Sequence, residues 1–251
     1  GSYLIYFSAI RKLYILQPFS NNIVFYLRLG IDPLNLNLAT SNPSEHVAAI
    51  DLGSNSFHMI VVRYQNGQLQ VIDRVKEMVR LGGGLDKRNN LTEEAMARAL
   101  EALERFGERL QGIPPHAIRA VGTKTLRTAR NAEPFLEAAQ RALNHEIEII
   151  SGFEEARLVY QGVTHDIEAL DQPLLVMDIG GRSTELICGI GHAPKTMDSL
   201  TMGSVSMSQR HFADGRISRK RMERAELDAL AELQGVRKQY REGHWERAIG
   251  S

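Results

Sequence analysis

The sequence predicts an α/β fold built on a mixed β-sheet with flanking helices, and three features indicate it. Strand-like hairpins come first, strands alternate with helices further on, and the order is not a plain βαβ repeat. In addition, the stretches AIDLGSNSFHMIVV and VMDIGGRSTELICG align without a gap at a distance of 127 residues. A repeat at this distance indicates two copies of one domain, since solenoid periods are about 20–50 residues.

The regular part of the chain begins with predicted strands and one long helix. Residues 47–64 have the pattern of strand, tight turn and strand, and residues 68–81 continue with strand-like alternation. Thr92 then caps a predicted helix that has two acids in its first turn. The apolar stripe of this helix consists of Met96, Ala99, Leu103, Phe106 and Leu110.

Short strands and helices alternate through the remainder. A predicted strand at residues 117–123 leads into one helix near Thr125 and another with Pro134 near its start. The later predicted elements are a strand at residues 146–150, a helix at 151–163, the second hairpin, a polar-faced helix within 218–242 and a strand at 244–251.

Composition limits the functions that the chain can have. Thirty basic residues balance 30 acidic ones, so the basic excess of a general nucleic-acid binder is missing and we expect no nucleic-acid partner. The apolar content of 43% suits a packed core and excludes wholesale disorder. The single cysteine, Cys188, excludes a disulfide framework and fits a reducing, cytoplasmic compartment. Its strand-like surroundings favour a small core residue over a nucleophile.

Residues 1–45 differ from the rest of the chain, being rich in Tyr, Leu, Ile and Asn with no acid before Asp32. None of their apolar runs approaches the ~18–20 residues that a membrane-spanning helix needs, so any membrane contact is expected to be peripheral. Three interpretations follow: an ordered extension packed on the body, an amphipathic segment on a membrane surface, or non-native, poorly ordered sequence ahead of the domain. We favour the third.

The two matching turns predict binding of phosphate. Each follows an apolar strand that ends on an aspartate, and each supplies backbone N–H groups and hydroxyls of the kind that form anion-binding nests. Glycine helps there because it tolerates positive φ and lets a ligand approach the backbone. One such turn alone would be read as an ordinary hairpin, but two favour phosphate. The candidate residues are Gly53, Ser54, Asn55, Ser56, Gly180, Gly181, Ser183 and Thr184.

Asp178 and Glu185 lie on either side of the second turn, where both could approach one cation. Hard oxygen ligands of this kind suit Mg²⁺, which also binds phosphate oxygens and water. The alternative is that Glu185 points from its strand into solvent.

A stretch without acids, residues 109–131, contains Lys124 and Arg127 just after a predicted strand end. Ligands often bind at that end of the strands in α/β folds, and an arginine there can clamp phosphate with two hydrogen bonds. The alternative is a solvated basic helix face.

The stretch SGFEEARL predicts a helix start with two different acids. Ser151 and Glu154 fit a capping box, which gives Glu154 a structural role and leaves Glu155 without one. A carboxylate in the first helical turn beside a strand end could orient or deprotonate a water for attack on phosphorus. By residue type alone, a surface position is the commoner outcome for Glu155.

Over residues 46–251, the chain resembles the exopolyphosphatase and guanosine-pentaphosphate phosphatase family. That family belongs to the superfamily of actin, sugar kinases and heat-shock ATPases, with duplicated ribonuclease-H-like domains. The stretches that carry the resemblance are AIDLGSNSFHMIVV, VGTKTLR, EIISGFEEARLVYQGV and MDIGGRSTEL.

The resemblance implies Mg²⁺-assisted hydrolysis of phosphoanhydrides. By matching positions, it implies Glu155 as catalytic base, Arg127 on phosphate, Asp178 and Glu185 around Mg²⁺, and the two turns with Lys124 as the phosphate cradle. It also implies three segments: residues 1–45 as an extension, 46–165 as a first ribonuclease-H-like domain, and 166–251 as part of a second. We expect the full-length form to be a homodimer.

Two departures from the family pattern matter. Arg182 stands where members carry Gly or Ala, so its bulk, or a need for positive φ, is expected to impair the second turn. On this basis Arg182→Gly is expected to raise turnover. The chain also ends inside what resembles the third phosphate loop, so the second domain is expected to be truncated and catalysis by this chain alone weak.

The leading hypothesis is hydrolysis of inorganic polyphosphate with release of terminal phosphate, and 5′-phosphate removal from guanosine pentaphosphate is the near alternative. A binding module that captures polyphosphate or a nucleotide without turnover is an alternative of another class. A kinase of the same superfamily is a third, which the resemblance of SGFEEARL to the phosphatase branch disfavours.

Overall fold

The computed structural model of the chain describes residues 46–65, 68–165, 167 and 171–251. The predictions for residues 1–45 lie outside the described residues. The described residues form two compact units, the first ending at Ser151 and the second running from Gly152 to Ser251. The division therefore comes before the helix that was predicted at residues 151–163, whereas the sequence placed the boundary after residue 165.

The first unit is built on a five-stranded sheet in the order β3-β2-β1-β4-β5. Neighbouring strands run antiparallel from β3 to β1 and parallel from β1 to β5, so the sheet is mixed, as predicted. The strands are β1 (His46–Leu52), β2 (Phe57–Gln65), β3 (Gln68–Glu77), β4 (Ile118–Gly122) and β5 (Glu148–Ile149).

Three α-helices accompany this sheet: α1 (Glu93–Arg109), α2 (Lys124–Thr128) and α3 (Ala132–Leu143), with short 3-10 turns at Leu81–Gly84 and Pro115–Ala117. The predicted cap is confirmed, because the Thr92 hydroxyl accepts a hydrogen bond from the Ala95 N–H at 3.3 Å. The predicted stripe is largely confirmed as well. Ala99, Leu103 and Phe106 are fully buried in the core beneath the sheet.

The second unit is built on a four-stranded sheet in the order β8-β7-β6-β9, with β6 and β9 parallel and the other pairs antiparallel. This order repeats that of the first four strands of the first sheet, so the internal repeat of the sequence is a repeat of topology. The elements are α4 (Gly152–His165), β6 (Leu174–Ile179), β7 (Thr184–Ile190), β8 (Ala193–Leu200), α5 (Ser204–His211), α6 (Arg219–Gln234) and β9 (Arg247–Gly250).

Helix α4 explains why the second unit begins at Gly152. Its apolar face packs on the second sheet, where Val159 and Tyr160 join Val176 and Ile187 in one buried cluster. The Tyr160 hydroxyl also donates a hydrogen bond to the Gly191 carbonyl at 3.1 Å. The helix is therefore part of the core of the second unit.

The predicted fold class, two ribonuclease-H-like mixed sheets with flanking helices, is confirmed. Two elements were not predicted. Strand β8 has only partly buried or exposed residues before Leu200, and α5 buries no residue, so neither shows a clear apolar period. Helix α6 ends at Gln234, earlier than its predicted stretch.

No helix in the described part of the chain combines the length and the apolar character that crossing a membrane requires.

The first core depends strongly on Phe106. We expect Phe106→Ala to lower the free energy of unfolding by about 3–5 kcal/mol, because it leaves a cavity where the ring was fully buried. Glu104→Ala, at an exposed position of the same helix, is the matched control and should change it by no more than about 0.5 kcal/mol. Urea denaturation measures both, and equal effects would contradict the assigned core.

Candidate active site

The two hairpin turns close in the same way. A Cβ atom at Gly53 would lie 2.8 Å from the Ser56 carbonyl oxygen, and one at Gly180 would lie 3.2 Å from the Ser183 carbonyl oxygen. None of the glycines at 53, 180 and 181 has positive φ. The first turn therefore requires glycine for close backbone approach, the second leaves little room for a Cβ atom, and neither requires glycine for a left-handed conformation.

In the first unit, the turn at residues 53–56 packs beside the start of α2. The Thr125 hydroxyl donates a hydrogen bond to the buried Ser54 hydroxyl at 2.7 Å, which holds the predicted phosphate residue Lys124 near the turn. The Asn55 carbonyl accepts a hydrogen bond from the Arg80 N–H at 2.8 Å. The Ser56 hydroxyl is hydrogen-bonded to His58 Nε2 at 2.7 Å.

Arg127 is fixed at the end of the same sheet. Its guanidinium donates a hydrogen bond to the Ile150 carbonyl at 2.6 Å, directly after β5. Lys124 and Arg127 thus both follow strand ends of the first unit, as the sequence predicted.

In the second unit, the hairpin of β6 and β7 places Asp178 directly opposite Glu185. Both side chains are buried. The corresponding pair in the first hairpin is Asp51 and His58. Two carboxylates face each other only in the second copy, because a histidine occupies the opposing position in the first.

Glu185 is fully buried, so the alternative that it points into solvent is wrong. Its Oε1 accepts a hydrogen bond from the Ser199 hydroxyl at 2.8 Å, while its Oε2 has no hydrogen-bond partner among the described residues. The pKa of this carboxyl is raised to about 8, first by burial and then by the negative charges of Glu155 and Asp178. The hydroxyls of Ser199 and Ser183 act in the opposite direction.

Glu155 reaches this carboxylate pair from the first turn of α4 and is itself buried. Its neighbour Glu154 instead forms a two-bond ion pair with Arg157, with both distances 2.7 Å. The two adjacent acids therefore differ, although the partner of Glu154 is Arg157 and the predicted capping box with Ser151 stays a prediction. Glu154 is held within the helix surface, and Glu155 joins the buried acidic group.

The second turn is held in place by the start of α5. The N–H groups of Ser204 and Val205 donate hydrogen bonds to the carbonyls of Gly180 and Gly181, at 2.9 and 2.8 Å. A Cβ atom at Gly203 would lie 2.5 Å from the Arg182 nitrogen, so glycine is required there. This contact fixes the backbone of the turn.

Two hydroxyl residues of the same turn are buried with it. The Thr184 hydroxyl donates a hydrogen bond to the Met202 carbonyl at 2.8 Å, and Ser183 is buried beside Glu185. Ser183 thus lies at the carboxylate pair, whereas the Thr184 hydroxyl bonds to the backbone ahead of α5.

Arg182 fits this turn without a strained backbone, because it is not among the residues with positive φ. The predicted strain is therefore wrong. Burial lowers the pKa of its guanidinium, and the nearby positive charge of Arg210 lowers it further. Arg182 thus places a cation beside the second turn.

Comparison with known proteins identifies the family. Residues 60–251 match the model of the Ppx/GppA phosphatase family. The chain belongs to the Ppx/GppA phosphatase family. Among solved structures, it is similar to an exopolyphosphatase-like protein, at 30% identity over 83% of this chain and 66% of that one, with a TM-score of 0.76.

Two further family structures support this membership. An exopolyphosphatase from Cytophaga hutchinsonii is 27% identical over 82% of this chain and 66% of that one, with a TM-score of 0.73. The Aquifex aeolicus PPX-GPPA enzyme is 26% identical over 83% and 68%, with a TM-score of 0.66. The present chain thus spans about two thirds of the length of these structures.

The second unit of this Ppx/GppA family member contains buried carboxylates of the residue type that binds Mg²⁺. Within the described residues, no group of three His, Cys, Asp or Glu side chains is arranged to hold a metal ion by itself. Mg²⁺, however, usually takes one or two carboxylates and completes its shell with water and phosphate oxygens. The unpartnered Oε2 of Glu185, opposite Asp178, fits such a role.

Sequence reasoning missed Ser199, which donates a hydrogen bond to Glu185. It lies on β8, a strand that was not predicted. Sequence reasoning assigned His58 only a structural role within its strand, although the gapless alignment of the two hairpins places His58 at the position of Glu185.

Without divalent cations, the free energy of unfolding should fall as pH rises from about 4.5 to about 8. The folded protein retains a proton on Glu185 up to about pH 8, whereas the unfolded chain loses it near pH 4.5. The decrease should be on the order of a few kcal/mol, and Glu185→Gln should remove most of it. Urea denaturation in EDTA at pH 5 and pH 8 measures the difference.

Glu226→Gln, at an exposed position on α6, is the control and should leave the pH dependence unchanged. The same slope in Glu185→Gln and in the unsubstituted protein would show that Glu185 is ionised normally.

Proposed function

We propose that this Ppx/GppA family member hydrolyses phosphoanhydride bonds and releases terminal phosphate from inorganic polyphosphate. The observation that carries the proposal is the buried Glu155 beside the carboxylates of Asp178 and Glu185. Buried like charges are costly unless a proton, a cation or a reaction uses them. Family membership and similarity to exopolyphosphatase structures support the same activity.

In the proposed reaction, a water oxygen attacks the terminal phosphorus. Glu155 accepts a proton from that water, so that a P–O bond forms while the bond to the bridging oxygen breaks. The products are orthophosphate and a polyphosphate shortened by one unit. Glu155 suits this role because it lies in the buried acidic group, whereas Glu154 forms an ion pair with Arg157 at the helix surface.

Other residues would bind and neutralise the phosphates. Asp178 and Glu185 would hold Mg²⁺, which offsets negative charge on the phosphate oxygens. The turn at residues 180–184 would bind phosphate in the second unit. In the first unit, the turn at residues 53–56, Lys124 and Arg127 would do the same through N–H groups and positive charge.

Guanosine pentaphosphate is the second candidate substrate, because the family model covers both phosphatase types. Its 5′-phosphate is released by the same anhydride chemistry. A third candidate is a binding function instead of an enzymatic one. The present chain, which spans about two thirds of the length of its relatives, would then bind polyphosphate or a nucleotide without hydrolysing it. Phosphate release from each substrate, measured beside calorimetric binding, separates the three.

We also propose that the activity is cytoplasmic and that the full-length form is a homodimer. The single cysteine and the balanced charge of the chain support the first part. Sedimentation of the full-length protein tests the second.

Glu155→Gln in the full-length protein should lower kcat for polyphosphate by about 10²–10⁴-fold, because it removes the proton acceptor but keeps the shape. Glu154→Gln is the matched control, one residue away and outside the buried acidic group, and should retain activity close to that of the unsubstituted enzyme. Phosphate release with Mg²⁺ measures both. Equal rates in Glu155→Gln and the unsubstituted enzyme would refute the assigned base.

The geometry reverses the expectation for Arg182→Gly. Since the turn is unstrained, removing the cation should weaken phosphate binding and raise KM for polyphosphate by about 3- to 10-fold. Arg182→Lys keeps the charge, and its KM should lie between those of the unsubstituted enzyme and Arg182→Gly. A higher turnover in Arg182→Gly would instead show that the bulk of the arginine impairs the turn.

A further inference from the structure

The second unit contains a basic pocket outside the acidic group. It has a volume of about 310 Å³ and lies where the end of α5 meets the start of α6 and the segment that joins them. Three guanidinium groups and a histidine line it against one carboxylate and one small apolar side chain. The lining residues are Arg210, His211, Ala213, Asp214, Arg221 and Arg224.

Ion pairs explain two of the three arginines. Arg221 binds Asp214 through two hydrogen bonds, and Arg210 and His211 share Asp228 on α6. The Asp228 pairs join the two helices, and the Arg221–Asp214 pair joins α6 to the segment before it, so both have a structural role.

Arg224 is different from the paired arginines. It is exposed, it lines the pocket, and it has no hydrogen-bond or ion-pair partner in the described part of the chain. The pocket therefore has a positive charge that the contacts between helices do not use.

The pocket is connected to the second turn by α5. The start of this helix donates hydrogen bonds to Gly180 and Gly181, and its last residues, Arg210 and His211, line the pocket. Eight helical residues span about 12 Å. Arg182 on the turn is close enough to Arg210 for the two charges to repel. Cations thus extend from the turn to the pocket.

We propose that this pocket is a second phosphate-binding subsite, which holds the part of a polyphosphate chain distal to the reacting end. Guanidinium groups bind phosphate oxygens with paired hydrogen bonds, and Arg224 offers such a group beside the ion-paired Arg210 and Arg221. Ala213 supplies little apolar surface for a purine, so a bare phosphate chain fits better than a nucleoside. This inference rests on the proposed function, and it makes long polyphosphate the preferred substrate.

The test measures binding separately from catalysis. The protein is titrated calorimetrically in EDTA with inorganic phosphate, tripolyphosphate and long-chain polyphosphate. Arg224→Ala should weaken binding of long-chain polyphosphate by about 3- to 10-fold. It should leave the ratio of the affinities for tripolyphosphate and phosphate unchanged, because a short anion bound at the turn does not span the roughly 12 Å to the pocket. Arg224→Lys should recover part of the loss.

Lys195→Ala is the matched control. It also removes one exposed positive charge, but Lys195 lies near the start of β8, at the opposite end of the sheet from the second turn. It should leave affinity for the long chain unchanged. Equal losses in Lys195→Ala and Arg224→Ala would show that only overall charge matters, and would overturn the proposal.

The remaining outcomes are also decisive. Unchanged binding of the long chain by Arg224→Ala overturns the subsite. An equal loss of affinity for tripolyphosphate would place Arg224 at the reacting end of the chain and would also overturn the subsite. If the expected pattern appears but the full-length protein releases no phosphate, the subsite stands and the proposed hydrolase activity fails.

Discussion

Asp178 and Glu185 face each other across two hydrogen-bonded strands inside the protein, and a third carboxylate, Glu155, reaches them from a helix. The strand register enforces the first pairing, since residues directly opposite on one face cannot separate without breaking the ladder. Packing of α4 enforces the approach of Glu155, because its neighbours Val159 and Tyr160 are anchored in the apolar cluster on the same sheet. The folded state therefore bears the cost of neighbouring buried charges, and such costs are typical of functional sites.

The two hairpins share one structure but differ in the residue that faces the aspartate. Both belong to sheets with the same strand order, and both close on glycine and serine. The position opposite the aspartate is His58 in the first copy and Glu185 in the second. In the first copy the histidine bonds to a serine of the turn, whereas in the second the carboxylate is buried among other acids, and its pKa is raised.

The second turn is shaped by the segment that follows its sheet. Helix α5 donates hydrogen bonds to the turn at one end and lines a basic pocket at the other. The turn therefore cannot shift without moving that helix. Arg182 is accommodated in this arrangement because its backbone conformation is ordinary.

The sequence alone determined the mixed sheets, the duplicated hairpins, the cap at Thr92 and the family. These features depend on local pattern, since alternation, turn residues and capping act over a few positions. Only the tertiary structure decided that Glu185 is buried, that Ser199 bonds to it, that Arg182 is unstrained, and that α4 belongs to the second unit. The physical reason is that burial, pKa and backbone strain depend on which distant segments pack together, and β8 and α5 carry too little apolar periodicity to reveal that packing beforehand.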